Sequence, residues 1–201
     1  YWHVGLVDRA LADLERARAL NPSNRQIRAE IGACYLYQTN YAKALFYMTN
    51  FPPDYPAPIG EDRLASAYQH LRQTKEAWSV VNNYLNSGRP DPGGLMASMQ
   101  AVLFADAGEK TEALKKIAQA QEKGKNFAHF HHTTYNIATA YALLNEPGPA
   151  MKWLRQTAED GFPNYVWFQR DPNLDSLRQD PEFIRFMDEL EKQWKRYRET
   201  L

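Results

Sequence analysis

Three histidines stand close together in the chain, His129, His131 and His132. His129 and His132 are one helical turn apart, and two imidazoles on one helix face can share a transition-metal ion. A third ligand at helical spacing is missing, and histidines at a helix start serve more often as exposed or capping groups. No metal and no cofactor are therefore assigned. The single cysteine, Cys34, can form no internal disulfide. No base stands near it in sequence to activate a thiolate, so it reads as a buried helix residue. No His-Glu-x-x-His string and no Gly-x-x-x-x-Gly-Lys string occurs. Gly93-Gly94 reads as a linker between helices. The 24 carboxylates are scattered, with no pair set apart for acid–base work. The chain is expected to be noncatalytic.

The elements that carry these residues repeat. Ala10, Ala44, Ala77, Ala113 and Ala150 follow one another at spacings of 34, 33, 36 and 37, each followed by a large apolar residue. Nine positions before each alanine stands an aromatic: Tyr1, Tyr35, Tyr68, Phe104 and Tyr141. Three positions before the last four aromatics stands a small residue: Gly32, Ala65, Ala101 or Ala138. The small residue lets two helix backbones approach, and the aromatic one turn later fills the space beside it. Each period therefore predicts a pair of antiparallel helices. One pair cannot bury its own apolar face, so pairs stack into a solenoid.

Helices are expected near 1–4, 7–20, 24–38, 41–51, 58–72, 74–87, 93–107, 110–123, 129–145 and 149–160. The wider last spacings predict a longer helix or loop around 121–130. Prolines fall between helices, where they cost nothing: Pro22, Pro52, Pro53, Pro56, Pro58, Pro90, Pro92 and Pro163 between units, and Pro147 and Pro149 in a turn within one.

The small–aromatic–alanine–apolar–proline order resembles the tetratricopeptide repeat (TPR) family. Gly32, Tyr35, Tyr41, Ala44, Met48 and Pro56 match a nearly full repeat, and Ala10, Leu14, Ala17 and Pro22 half of one. Later copies depart from it: Arg89, Lys125 and Phe162 stand where the terminal proline belongs, and Arg28, Glu61, Ala97 and Thr134 where a large apolar residue belongs. The resemblance implies an all-α, TPR-like α-solenoid over 1–163, its first repeat truncated and about four further repeats following. The chain starts without Met or a leader pattern, so further domains are expected upstream.

In that family the concave groove is lined from the first helix of each repeat. The resemblance then implies partner-binding residues at Tyr37; at Asp62, Ser66, Gln69 and His70; at Ser98 and Val102; and at His132, Tyr135 and Thr139. The Lys and Asn that clamp a peptide carboxylate in one branch of the family are absent. The groove residues are small, aromatic or neutral, with Asp62 and Asp106 the acidic exceptions, which suits an extended peptide or helix.

Residues 164–201 are expected to form a C-terminal capping segment. Asp171-Pro172 and Asp180-Pro181 are helix-start signals. Phe183, Met187, Leu190, Trp194, Tyr197 and Leu201 then form a 4, 3, 4, 3, 4 stripe along one helix. The stripe either caps the array or supports self-association through a coiled coil. The string around Trp167, Asp171-Pro172, Leu174, Leu177-Arg178 and Asp180-Pro181 is similar to the tail that closes TPR arrays in bacterial multidomain signalling proteins. There such arrays join kinase, cyclase or winged-helix regulator domains.

Lys and Arg total 24 and balance the 24 acids. A chain built to neutralise nucleic-acid phosphates would carry a basic excess, so nucleic acid is not expected as partner. No apolar run approaches the roughly 20 residues of a membrane span. The sequence thus predicts a protein-binding scaffold within a larger regulator, acting on a protein or peptide partner. The alternative is the regulatory or substrate-docking domain of an enzyme whose catalytic part lies upstream. A cytoplasmic setting is expected, with the periplasm left open.

Overall fold

The computed structural model describes residues 1–49, 58–124, 127 and 129–201, and these are helical with no strand. The α-helices are α1 (Val7–Leu20), α2 (Arg25–Tyr37), α3 (Tyr41–Met48), α4 (Ile59–His70), α5 (Thr74–Asn86), α6 (Leu95–Asp106), α7 (Lys110–Gly124), α8 (Phe130–Leu143), α9 (Pro147–Glu159), α10 (Tyr165–Arg170) and α11 (Pro181–Thr200). Short 3-10 turns cover Trp2–Val4, Pro92–Gly94 and Pro172–Leu177. The expected prolines Pro52, Pro53 and Pro56, the last positions of the 41–51 helix and Lys125 lie outside the described residues.

Side-chain oxygens start several helices by accepting otherwise orphaned backbone N–H groups. Asn24 accepts from Gln26 and Ile27 on α2, Asn40 from Lys43 on α3, and Asn164 from Trp167 on α10. Asp180 accepts from Glu182 and Phe183 on α11, with Pro181 at the first helical position.

Helices α2, α4, α6 and α8 end in one shared device, which α9 repeats at Gly161. Thr39, Arg72, Gly108 and Asn145 have φ of 62°, 59°, 76° and 58°. The N–H of the following residue reaches back to the carbonyl of Tyr35, Tyr68, Phe104 or Tyr141 at 2.8–2.9 Å. The left-handed residue itself donates to Leu36, Gln69, Ala105 or Ala142 at 2.9–3.0 Å. This paired closure is the Schellman motif. The periodic aromatic therefore has a second role, since its carbonyl anchors the turn that starts the next helix.

Neighbouring helices pack against one another: α2 on α3, α4 on α5, α6 on α7 and α8 on α9. The first members also touch in series, α2 to α4, α4 to α6 and α6 to α8. Ala44, Ala77, Ala113 and Ala150 are wholly buried, as are Ala65, Ala101 and Ala138. A Cβ added to Gly32 would lie 2.5 Å from Met48 Cγ and 3.3 Å from the Ala44 carbonyl oxygen, so the close approach of α2 and α3 leaves no room there for a larger residue unless Met48 moves.

Some boundaries differ from the expected ones. Residues 2–4 form a 3-10 turn closed by Gly5 rather than part of an α-helix. Pro147, Gly148 and Pro149 stand in the first turn of α9, not in the turn before it. The N–H groups a proline removes there have no intrahelical partner in any case, so the helix tolerates both. The longer helix near 121 is α7, which spans 15 residues.

The chain folds back on itself. One apolar cluster joins Val7, Ala10, Tyr37, Ala44 and Met48 to Phe162, Trp167, Phe168, Leu174, Phe183 and Leu190. On α11, Phe183, Phe186 and Leu190 are buried, and Arg155 of α9 holds Glu182 at 3.1 Å and Glu189 at 3.3 Å. Trp194 donates its indole N–H to the Gly5 carbonyl at 3.1 Å, and Arg9 donates to the Arg198 carbonyl at 2.6 Å. Among the described residues no helix is long and apolar enough to cross a membrane.

Candidate binding groove

The face shared by α2, α4, α6 and α8 gathers the residues singled out in the sequence. Tyr37, Asp62, Gln69, Ser98, Val102, His132, Tyr135 and Thr139 are buried, and Ser66 and His70 are half-buried. α8 explains much of this burial, because His131 through Ala140 are buried on every side.

The cover is the chain's own segment 162–177. Gln69 and Asn173 exchange amide hydrogen bonds at 3.1 Å in both directions. His70 Nε2 lies 2.9 Å from Asp171 Oδ1, with both side chains almost fully enclosed. The Tyr135 hydroxyl donates to the other Asp171 oxygen. Ser176 donates to the Ala142 carbonyl at 2.7 Å, and the Arg178 guanidinium donates to the carbonyls of Phe168 and Asp171 at 2.8 Å each. Aromatic rings close the remaining side: Trp167 packs edge-on to Tyr37 at 5.5 Å, and Phe168 stacks on Tyr135 at 5.3 Å.

Electrostatics follow from this enclosure. Burial alone would push the His70 imidazole down, but the Asp171 carboxylate overcomes it, and His70 is held above its ordinary value. Burial would likewise raise Asp171, yet His70, the Tyr135 hydroxyl and the Asn173 N–H hold it below the usual carboxylate range. Both shifts favour the ionic form of the pair. Tyr135 is pushed up by burial and by Asp171, so it stays a donor.

A second polar knot joins three helices. Asn136 Nδ2 donates to Asp62 Oδ1 at 2.7 Å and to Ser98 Oγ at 3.1 Å. Burial raises Asp62 to about 7, against the lowering effects of Asn136 and Arg63. Arg63 reaches Glu30 at 3.4 Å and lies over the Trp2 ring at 4.7 Å. Between this knot and the aromatic cover remains a cavity of about 30 Å³, lined in part by Tyr37, Asp62, Ser66, His132 and Tyr135. That is room for about two water molecules and for no side chain of a partner.

The histidines fall out differently from their sequence spacing. His129 is exposed, and its ring lies 5.6 Å from that of His131. His131 and His132 are buried, and the side chain that joins them is His3 of the first 3-10 turn, the three ligand nitrogens lying within 4.8 Å of one another. Cys34 is buried and its thiol is pushed up to about 12, chiefly by burial, so it is not a thiolate at neutral pH.

Arg63, Asn136, Asp171, Asn173 and His3 all enter this region without having been singled out as groove residues. Asp171 looked like capping chemistry, and it does cap, accepting from the Asn173 N–H at 2.9 Å. Its remaining lone pairs carry the long-range bonds. Arg63 supplies a guanidinium where the mapped positions held no Lys or Arg. A signal was present for Asn136, the one amide in a stretch whose other polar residues are histidines, threonines and tyrosines. No family model matches the chain, and no curated protein or solved structure matches it.

Proposed function

We propose that the chain is a noncatalytic protein-binding module, a solenoid of antiparallel, TPR-like helix pairs serving a larger regulator. Its ligand is a short, neutral polypeptide segment held along the face of α2, α4, α6 and α8. One observation carries this reading: that face already holds polypeptide. Gln69, His70, Tyr135 and the Ala142 carbonyl bind residues 171–176 by directed hydrogen bonds, and Tyr37 and Tyr135 pack against aromatic rings of the same segment. The donor and acceptor set is the kind that recognises amide and carboxylate side chains, and the segment it holds here is helical, α10 followed by a 3-10 turn.

A cavity of about 30 Å³ is too small for such a partner, so a partner segment takes the groove by displacing residues 162–177. The displaced contacts set the affinity, because the partner must replace bonds already made.

Panning the whole chain against a library of displayed peptides tests this. Enriched sequences should carry an Asp or Asn flanked by aromatic residues. A free peptide copying residues 162–177 should compete for them, and Ser66→Arg, whose side chain is far larger than the cavity and obstructs the face that residues 162–177 cover, should abolish binding. The absence of any enriched peptide, or binding indifferent to both competitor and Ser66→Arg, would remove the groove as a binding site.

A further inference from the structure

Three nitrogens of the histidine cluster have no hydrogen-bond partner although no solvent reaches them: His3 Nε2 and both ring nitrogens of His131. The Asp160 backbone lies close to His131, but without hydrogen-bond geometry to either nitrogen. A buried imidazole normally satisfies at least one nitrogen, so an orphaned group of this kind calls for an explanation. The rings are close: 4.4 Å between the centroids of His131 and His132, 5.1 Å between His3 and His131, and 5.9 Å between His3 and His132. Trp2 and Phe162 wall the cluster, the Trp2 ring lying 3.7 Å from that of His3 and the Phe162 ring 5.7 Å from that of His132. His131 and His132 are buried, whereas His3 is only half-buried on its short turn.

We propose that His3, His131 and His132 form a site for a transition-metal ion of the zinc class, with a fourth coordination position open beside His3. This inference does not rest on the peptide-binding reading, because its ligands make none of the bonds to residues 171–176, although His132 lines the same cavity and Phe162 belongs to the covering segment.

Neutral imidazoles are the ligands that zinc, cobalt, nickel and copper ions favour, and three of them leave one position for water or an exogenous ligand. Burial supplies the required neutral form: it holds His3 down to about 3, and pushes His131 and His132 down as well. A tetrahedral ion about 2.0–2.1 Å from each nitrogen sets the nitrogens about 3.3 Å apart. Ligand nitrogens that now span up to 4.8 Å must therefore close by as much as about 1.5 Å. The half-buried His3 on a three-residue turn is the member able to move, while the two on α8 are fixed by the helix. Arg63 opposes a dication here, since it lowers all three imidazoles. Its charge is shared with Glu30 at 3.4 Å and spread over the Trp2 face.

The test is a titration of chelator-stripped chain with Co²⁺, followed by Zn²⁺. One Co²⁺ per chain should bind with the intense visible absorption of four-coordinate cobalt, and one Zn²⁺ should displace it. Saturating zinc should also raise the thermal midpoint by several degrees, because the ion binds the folded state. His3→Ala and His131→Ala should each lose the absorption and at least about 100-fold in affinity, more than a supporting residue costs. His129→Ala should bind as the parent does. Circular dichroism of the metal-free variants checks folding, with His131→Gln as the replacement should His131→Ala unfold. Lack of cobalt absorption in the parent overturns the proposal. So does binding that persists in His131→Ala, which would mean a chelate that does not use α8.

Discussion

Gln69 and Asn173, 104 residues apart in the chain, pair their side-chain amides face to face in the interior, each donating to the other at 3.1 Å. The pair ties the end of α4 to the turn after α10, with both partners cut off from water. Removing one partner leaves the other buried and unsatisfied. Asn173→Ala should therefore destabilise the fold by about 1–3 kcal/mol, and replacing both by Leu should recover much of that. A double-mutant cycle in denaturant measures the coupling; a value under about 0.5 kcal/mol would show the two amides to be independent.

The ion pair beneath it predicts a pH dependence. Folded His70 holds its proton to higher pH than the unfolded residue does. Its contribution is thus full below about pH 6.5 and lost as pH rises through the raised folded value. Folded Asp171 is lowered, so its contribution is present above about pH 4 and lost as pH falls through the folded value. The penalty of His70→Gln should be largest between about pH 4 and 6.5 and should shrink toward pH 9. The Tyr41 ring, stacked on His70 at 4.5 Å, adds a packing loss that pH does not change. Thermal melts of both proteins across that range decide it, and a constant offset would mean that the pair is not ionic.

At Gly32 the close approach of α2 and α3 sets a steric prediction. A Cβ there meets Met48 Cγ at 2.5 Å and Tyr47 Cβ at 3.1 Å. Gly32→Leu should cost about 1–3 kcal/mol or more through overpacking. An unchanged unfolding midpoint would contradict the crossing.

The left-handed turn residues predict effects of opposite sign at matched positions. Thr39 is β-branched at φ 62°, and Asn tolerates that conformation better. Thr39→Asn should stabilise by about 0.5–1 kcal/mol. Gly108 holds φ 76° with open space around it, so Gly108→Ala should lose about 1–2 kcal/mol from backbone strain alone. Denaturant midpoints of the two variants should move in opposite directions.

Much of the helical frame was legible because it rests on short-range regularities. The recurrent alanines and small residues had to be buried wherever helices cross, and they are: Ala44, Ala65, Ala77, Ala101, Ala113, Ala138 and Ala150 are inaccessible. The left-handed turns were half legible. Gly108 and Asn145 are residue types that favour positive φ, whereas Thr39 and Arg72 are not, and the paired backbone hydrogen bonds of the helix closure hold them there. The site was harder. The spacing placed Gln69, His70 and Tyr135 on one face, but their partners lie in a segment that returns from more than thirty residues away. Asp171-Pro172 carried a local helix-start meaning that masked its distant one. His3 could not be tied to His131 and His132 from sequence, because nothing local relates residue 3 to residue 131.

The contacts of Trp194 with Gly5 and of Arg9 with the Arg198 carbonyl bear on how the molecule comes apart. A stack of helices that touch mainly their sequence neighbours unravels from either end, one unit at a time. Here the first turn and the last helix hold each other, so neither end can peel away alone. Hydrogen exchange should then find the amides of α1 and α11 opening in a single event, with the row of helices acting as a closed loop rather than a fraying rod.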